Sequence, residues 1–256
     1  MLLKVILGIV ISLLVTGGLH HLIYALPLNK IPFKTPLHCS SCHNRFSGIM
    51  RIPFFGSLLT IGRCPECHQR LSNTYLTLEF LSPPLVLIMI IFLEPIIALE
   101  LILAYSALVT IALIDMEHWI IPNKLLFVIL AAGFLRVSRS WDQLWFQLSG
   151  ALPMLILLGM IILIQLVYIK KPGLGMGDLK LAMVLGVWLG PLLAMYTMFV
   201  ATLLTLLLWV FQGIWGGYKL QRAIQFGPFI ALSAMVFGIG RALDPQITTH
   251  LLTFRF

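Results

Sequence analysis

Two aspartates have the residue type and the surroundings to do chemistry. Asp115 lies at the end of a long apolar segment, and Asp178 lies within residues 175–180, GMGDLK. Ionisable residues in or against a bilayer are costly and are functional candidates by default. Two neighbouring carboxylates in a poorly hydrated site hold one proton between them. The ionised member can take a proton from a water molecule that attacks a peptide carbonyl, while the protonated member hydrogen-bonds the oxyanion.

The residues around Asp178 suit an extended peptide substrate. Gly175 and Gly177 carry no side chain, so another backbone can approach them closely. Lys180 either stabilises the ionised form of Asp178 or contacts lipid phosphates, and we favour the second interpretation. Taken alone, Asp115 or Asp178 could equally be a helix N-cap or an interfacial residue.

Four cysteines form two C-x2-C pairs, Cys39 with Cys42 and Cys64 with Cys67. Each pair places two thiolates on one tight turn, and together they predict a structural zinc site with a tetrahedral sulfur shell. Disulfides or free thiols are the alternatives, and a reducing cytosol disfavours disulfides. Three histidines flank the cysteine pairs: His38, His43 and His68. They could replace a thiolate, although solvated loop positions are the simpler interpretation.

The composition is that of a membrane protein. Of 256 residues, 60% are hydrophobic and 10% are charged, with a mean hydropathy of +1.02, whereas a soluble domain has about 25% charged residues. The net charge of +8 does not indicate a nucleic-acid partner, because such proteins cluster basic residues on a soluble face. An excess of Lys and Arg is instead typical of the cytoplasmic loops of multispanning proteins.

Eight apolar segments predict an all-α polytopic membrane protein with about eight transmembrane helices. They are residues 5–26, 80–93, 96–114, 119–135 and 148–169, two helices within 181–218 separated by a turn at Gly190-Pro191, and a last one between Arg222 and Arg241. A secretory signal is the alternative for the first segment, but no small-x-small cleavage site follows it. Glu79 is interpreted as a cap of the second helix and Glu100 as a helix–helix contact.

The basic residues predict the orientation of the chain. Six of them lie in the loop of residues 27–79, and eight spans place twelve on that side of the membrane and five on the other. This loop, with its predicted zinc site, and both aspartates are therefore expected on the cytoplasmic side. The expected divisions are a first transmembrane helix at 1–26, a cytoplasmic zinc loop domain at 27–79 and a transmembrane domain at 80–256.

An ordered set of motifs resembles one known family. Residues 115–123, DMEHWIIPN, and 175–181, GMGDLKL, look like its two catalytic motifs, and the cysteine pairs, YLTLE at 75–79, LGVWLG at 185–190 and FGPF at 226–229 continue the pattern. The family is that of the bacterial prepilin peptidases, membrane aspartic proteases with a G-x-G-D motif. The resemblance covers nearly the whole chain.

The resemblance implies an activity and a location. It implies that Asp115 and Asp178 are the catalytic pair, and that the protein cleaves a short basic leader, usually after glycine and before phenylalanine, at the cytoplasmic face of the bacterial inner membrane. The implied substrates are type IV prepilins or type II secretion pseudopilins. It also implies N-methylation of the new N-terminus, with S-adenosylmethionine as the methyl donor. One departure lies at the end of the first span, where His20 and Ala25 replace the family's usual Asn and Arg.

Two other classes of function remain open on sequence grounds. Intramembrane carboxylates also relay protons or bind cations in transporters, in which case the zinc loop would be regulatory. No inverted repeat supports this alternative, because the cysteine loop has no counterpart in the second half of the chain. A non-catalytic assembly factor of a secretion machine would explain the zinc loop but not the two aspartate motifs.

Overall fold

The structure, a computed structural model, describes residues 2–28, 30–31, 39, 42, 44–45, 60, 62–71, 73–138, 144–169, 175–216 and 224–243. Its regular elements are helices: α1 (Leu2–Ala25), α2 (Asn73–Phe92), α3 (Pro95–His118), α4 (Asn123–Val137), α5 (Leu144–Ser149), α6 (Ala151–Ile164), α7 (Met176–Leu189), α8 (Pro191–Gly216) and α9 (Gly227–Leu243). A π-helical segment, Gln165–Ile169, continues α6. The possible zinc ligands His38 and His43 lie outside the described residues, and so do Tyr218 and Arg222, which mark predicted ends of spans.

Four helical segments among the described residues are long and apolar enough to cross a membrane: Leu3–Ala25, Pro95–His118, Leu144–Tyr168 and Pro191–Trp215. Two shorter apolar helices, Leu76–Phe92 and Gly227–Leu243, accompany them. A spanning helix needs about 20 residues. The expectation of an all-helical polytopic membrane protein is therefore confirmed, while eight crossings remain a prediction.

The turn predicted at Gly190-Pro191 is present. Gly190 has a φ of 82° and separates α7 from α8. Positive φ is readily adopted only by glycine, and proline is favoured at the first position of a helix, where its missing N–H needs no partner. Pro191 occupies that first position in α8. The long uncharged stretch therefore folds as two helices.

Several predicted helix ends were wrong. Helix α2 begins at Asn73 instead of Phe80, so Glu79 lies inside the helix and is not a cap. Helix α3 continues to His118, which places Asp115 in its last turn. Helix α4 starts only at Asn123, because Pro122 before it is extended, with φ −68° and ψ 124°. A charged residue predicts the end of an apolar segment, but a charge by itself does not interrupt the backbone hydrogen bonds of a helix.

The chain forms two compact units, residues 1–98 and 99–256. In the first unit, α1 packs along α2 so closely that a Cβ on Gly8 would lie 2.8 Å from Leu87 Cδ1. The same unit buries His20 and Glu79 side by side, with 3.8 Å between His20 Nε2 and Glu79 Oε1. The cysteine pairs also belong to this unit.

In the second unit, α7 is the central helix. It contacts α4, α5, α6, α8 and α9. Its buried side chains include Leu181, Leu185 and Trp188, each almost fully removed from the surface. Helix α7 carries Asp178 in its first turn, so the packing of this core sets the position of that carboxylate.

Candidate active site

Asp115 is buried against the beginning of α9. It lies in the last turn of α3, and the backbone N–H of Gly227 donates a hydrogen bond to its carboxylate. A Cβ added at Gly227 would lie 2.6 Å from Asp115 Oδ2, so only glycine allows this approach. Gln225 Nε2 donates to the carbonyl oxygens of Asp115 and Met116, at 2.8 and 2.9 Å. The segment before α9 thus holds both the side chain and the backbone of Asp115.

Asp178 is held by the turn that precedes its own helix. Gly175, the N-cap of α7, is extended, and its backbone N–H donates to the Asp178 carboxylate. The Asp178 N–H in turn donates to Gly175 O at 3.1 Å. An acid three residues after the N-cap that reaches back to the cap's N–H has the geometry of a capping box. The N-cap interpretation of Asp178 is therefore wrong, because Gly175 is the N-cap and Asp178 lies in the first turn. The Gly175 N–H holds the carboxylate without consuming all of its lone pairs.

The two aspartates lie close enough to interact. Burial, and then the like charge of Asp115, raise the pKa of Asp178 to about 6, against the smaller opposite effect of the Gly175 N–H. Asp178 precedes the predicted sixth span and lies outside the four long apolar helices. The end of α3 and the beginning of α7 therefore carry two carboxylates near enough for the charge of one to act on the other.

Gly177 and Lys180 connect α7 to the segment between the aspartates. A Cβ on Gly177 would lie 3.2 Å from Ile121 Cβ, so the chain that follows Asp115 packs directly on the first turn of α7. Lys180 Nζ donates to Asn123 Oδ1 at 3.5 Å. The amine of Lys180 thus contacts the first residue of α4.

Trp119 ends α3 in an uncommon conformation. Its φ is 59°, in the left-handed region that glycine usually occupies at helix ends, and its N–H donates to Asp115 O at 3.0 Å. Residues held in such conformations cost of order 1–3 kcal/mol and occur often at functional sites. The Trp119 side chain is 56% exposed. The sharp turn it makes directs the chain away from Asp115 and back towards α7.

Sequence reasoning missed the contribution of Gln225 and Gly227. Both lie about 110 residues from Asp115, and hydropathy gives no information on contacts at that separation. The motif FGPF at 226–229 was noticed only as part of a last span. A glycine directly before proline at a helix start was the one local signal for a close approach.

The four cysteines form a separate cluster in the first unit. All four sulfur atoms lie within 4.8 Å of one another, and the separation is 3.8 Å for Cys39–Cys67 and 3.9 Å for Cys42–Cys64. None of the four is in a disulfide. A zinc ion with Zn–S bonds of about 2.3 Å requires sulfur–sulfur edges of about 3.8 Å in a tetrahedron. The donor set therefore fits zinc in number, chemistry and spacing.

The first cysteine of each pair makes the same type of backbone hydrogen bond. The N–H of Cys39 donates to Asn44 O at 3.0 Å, and that of Cys64 donates to Gln69 O at 2.9 Å. In both cases the acceptor lies five residues after the first cysteine. His68, which was considered as a ligand, is exposed and lies outside the four-sulfur group. The solvated interpretation of His68 agrees with this position.

Comparison with known proteins connects both units to one family. Residues 102–210 match the type IV leader peptidase family, and residues 10–93 match the bacterial peptidase A24 N-terminal domain. The first range contains both aspartates and the second contains all four cysteines. The chain belongs to the type IV leader peptidase family. No solved structure matches the chain significantly.

Relatives of this leader peptidase family member carry consistent names. The chain is 27% identical over 197 residues to a prepilin leader peptidase/N-methyltransferase of Dichelobacter nodosus. The aligned region covers 76% of this chain and 68% of the relative. An Aeromonas salmonicida protein of the same name is 24% identical over 200 residues, 77% of this chain and 69% of the relative. A type 4 prepilin-like proteins leader peptide-processing enzyme of Escherichia coli O78:H11 is 28% identical over 168 residues, 64% and 62% of the two chains.

Proposed function

We propose that this protein is a membrane aspartic endopeptidase that removes the leader from type IV prepilins or type II secretion pseudopilins. The observation that carries the proposal is the interaction of Asp115 with Asp178, two carboxylates from separate helices in one site. The family membership and the names of the relatives support the same reaction. The comparisons give the transporter alternative no support.

The two carboxylates have different surroundings, and we assign them different roles. Asp178, with a pKa raised to about 6, is the member that carries the proton and donates a hydrogen bond to the oxyanion. Asp115 accepts the Gly227 N–H at the beginning of α9, where a helix favours negative charge. Asp115 therefore takes the proton from the attacking water and passes it to the leaving amine.

Exposed apolar side chains beside the aspartates suit an apolar substrate segment. Met116 follows Asp115 and is 56% exposed, and Met176 precedes Asp178 by two residues and is 60% exposed. Gly175 precedes the same turn, whereas the space beside Gly177 is filled by Ile121, whose Cβ would lie 3.2 Å from a Cβ on Gly177. We propose that the apolar segment that follows the leader is bound here, on the cytoplasmic side of the inner membrane, the side on which the excess of basic residues predicts the loop of 27–79.

The proposal extends to zinc and to methyl transfer. A structural zinc ion would be held by Cys39, Cys42, Cys64 and Cys67. It would stabilise the loop of 27–79 as a domain separate from 1–26 and 80–256, because a segment of this size has little hydrophobic core of its own. The relatives' names include N-methyltransferase, so we propose that the new N-terminal amine is methylated with S-adenosylmethionine. No glycine-rich nucleotide loop of recognisable type lies in residues 27–79, and this step rests on the relatives' names.

The test is cleavage of a synthetic peptide by the purified full chain in detergent. The peptide has a short basic leader ending in glycine, followed by phenylalanine and an apolar segment, and mass spectrometry identifies the products. Asp115→Asn and Asp178→Asn are expected to abolish cleavage, since each removes one partner of the acid–base pair while keeping its shape. A repeat with S-adenosylmethionine measures the gain of one methyl group on the product.

Glu117→Gln is the matched control. Glu117 is a carboxylate two residues from Asp115, but it is 44% exposed and lies 4.0 Å from His118 Nε2. Loss of its charge is expected to leave the cleavage rate within about twofold of the wild type, because an exposed ion pair contributes little free energy. Cleavage at the wild-type rate by either asparagine variant would refute the assignment of the pair.

A further inference from the structure

Another buried carboxylate, that of Glu100, joins three helices of the second unit. It is 1% exposed on α3 and accepts hydrogen bonds from Trp188 Nε1 on α7 at 3.1 Å and from Arg136 Nη1 on α4 at 2.9 Å. The Arg136 contact is also an ion pair. One carboxylate therefore ties α3 to both α4 and α7.

Two glycines of other helices lie against Trp188, Gly238 at its ring and Gly133 at its backbone. A Cβ on Gly238 of α9 would lie 2.5 Å from Trp188 Cη2, and one on Gly133 of α4 would lie 3.4 Å from Trp188 Cα. Small residues at helix interfaces let the partners approach closely. Trp188 consequently contacts α3, α4 and α9 at once.

This cluster lies on the helices that carry the candidate active site. Glu100 and Asp115 are separated by fifteen residues of α3, which is about 22 Å along the helix and about 60° around it. Trp188 and Asp178 are separated by ten residues of α7, about 15 Å. The third helix, α9, begins with Gly227, which hydrogen-bonds Asp115. Every helix whose end forms the site is thus held at Glu100 or Trp188.

Apolar contacts alone do not fix the register of such helices. In lipid there is no hydrophobic force that favours one arrangement of leucine-rich surfaces over another, and helix association depends on packing and interhelical hydrogen bonds. A single buried polar contact is the best-attested device for setting register. A shift of α3 along α7 would break the Glu100–Trp188 hydrogen bond and separate the aspartates in the same movement.

We propose that Glu100 and Trp188 are positioning residues that set the register of α3 against α7 and so hold Asp115 beside Asp178. The inference rests on the proposed function for its kinetic consequence, but the register itself can be measured without catalysis. It assigns a role to a buried acid that is far from the reacting atoms.

The experiment reads register and rate separately in the full chain. Ile121→Cys with Gly177→Cys provides a register reporter, since the 3.2 Å between the Ile121 Cβ and a Cβ on Gly177 is near the range of about 3.5–4.5 Å that a disulfide needs. Peptide mass spectrometry quantifies the crosslink. In the Glu100→Leu and Trp188→Phe backgrounds we expect its yield to fall at least about fivefold, because disulfide geometry is specific.

The rate is measured in the same backgrounds with native residues at 121 and 177. We expect kcat for the leader peptide to fall about 10- to 100-fold, with KM within about twofold, because displaced catalytic groups slow the chemistry without weakening uniform binding. Gly238→Ala should reproduce the loss by displacing the indole, whereas Gly240→Ala, whose Cβ would have nothing within 4 Å, should not.

Thr110→Val is the control on α3 itself. Thr110 is fully buried and lies between Glu100 and Asp115 in the sequence of α3. Its hydroxyl donates to Ser106 O in the same helix, so it makes no hydrogen bond to another helix among the described residues. It should leave crosslink and kcat within about twofold. If Glu100→Leu does not fold, Trp188→Phe decides, since it keeps an aromatic side chain but loses the N–H that Glu100 accepts, together with part of the indole's volume. The proposal is overturned if Trp188→Phe leaves both the crosslink yield and kcat within twofold of their values without that substitution. If the Ile121→Cys/Gly177→Cys protein crosslinks but the wild type does not cleave the peptide, the proposed function alone is refuted.

Discussion

Gly227→Ala is a sharp test of how Asp115 is held. The added Cβ would lie 2.6 Å from Asp115 Oδ2 and 3.0 Å from its Cγ, whereas ordinary contact begins at 3.4 Å. The carboxylate must therefore move by about 0.8 Å, the difference between 3.4 and 2.6 Å. A displacement of about 1 Å can cost about 100-fold in rate. We expect kcat to fall about 10- to 100-fold, which corresponds to about 1.4–2.7 kcal/mol.

The assay is steady-state cleavage of the leader peptide, with kcat and KM determined separately. The backbone N–H at position 227 survives the substitution, and Gly227 does not have a positive φ, so alanine fits the backbone. Thermal unfolding measures how much the extra methyl group destabilises the folded protein, and overpacking of this kind usually costs about 1–3 kcal/mol. The rate loss is expected in molecules that remain folded and monodisperse.

Gly240→Ala is the comparison for this variant, because it makes the same chemical change on the same helix with nothing within 4 Å of the new atom. It should behave like the wild type. A Gly227→Ala enzyme with kcat within twofold of wild type would refute the close approach of α9 to Asp115. The reasoning would also fail if Gly240→Ala lost as much activity.

Two further predictions concern pH and metal. Burial and the charge of Asp115 raise the pKa of Asp178 to about 6, so its proton is present below that pH and lost above it. The measured kcat should therefore decline as pH rises through about 6, and a kcat that stays constant between about pH 5 and pH 8 would contradict the assignment of Asp178 as the acid. Chelation of zinc, or Cys64→Ser, should lower the melting temperature by roughly 5 °C or more while the folded fraction keeps its kcat, and His68→Ala is the control; an unchanged melting temperature would exclude a structural metal.

The helices could be predicted from hydropathy because a chain in lipid must satisfy its backbone hydrogen bonds within each segment. Their ends could not. Glu79 looked like a boundary because charges usually leave the bilayer, yet it is 0% exposed inside α2 beside His20 on α1. A charge can remain in a helix when a neighbouring helix supplies its surroundings. That information is tertiary, and the local sequence does not contain it.

For the candidate site, the sequence singled out the two aspartates but not the residues that contact them. Asp115 and Asp178 are conspicuous because acids are rare in this chain and each lies next to an apolar segment. The two cysteine pairs were equally accessible, since ligand spacing within each pair is local. Gln225, Gly227 and Trp188 act only through contacts with distant helices. None of these three has a local pattern that differs from ordinary packing.

The aspartates lie at helix ends, and this placement resolves a conflict between their burial and their charge. The last turn of α3 exposes backbone carbonyls, which disfavour an added negative charge at Asp115. The beginning of α9 opposes this effect, because its first N–H is directed at the same carboxylate. Asp178 occupies the favourable end of α7, but its burial and the charge of Asp115 keep its pKa raised. The three helix ends would thus favour one charge and one proton on the proposed pair, where two charges would repel each other.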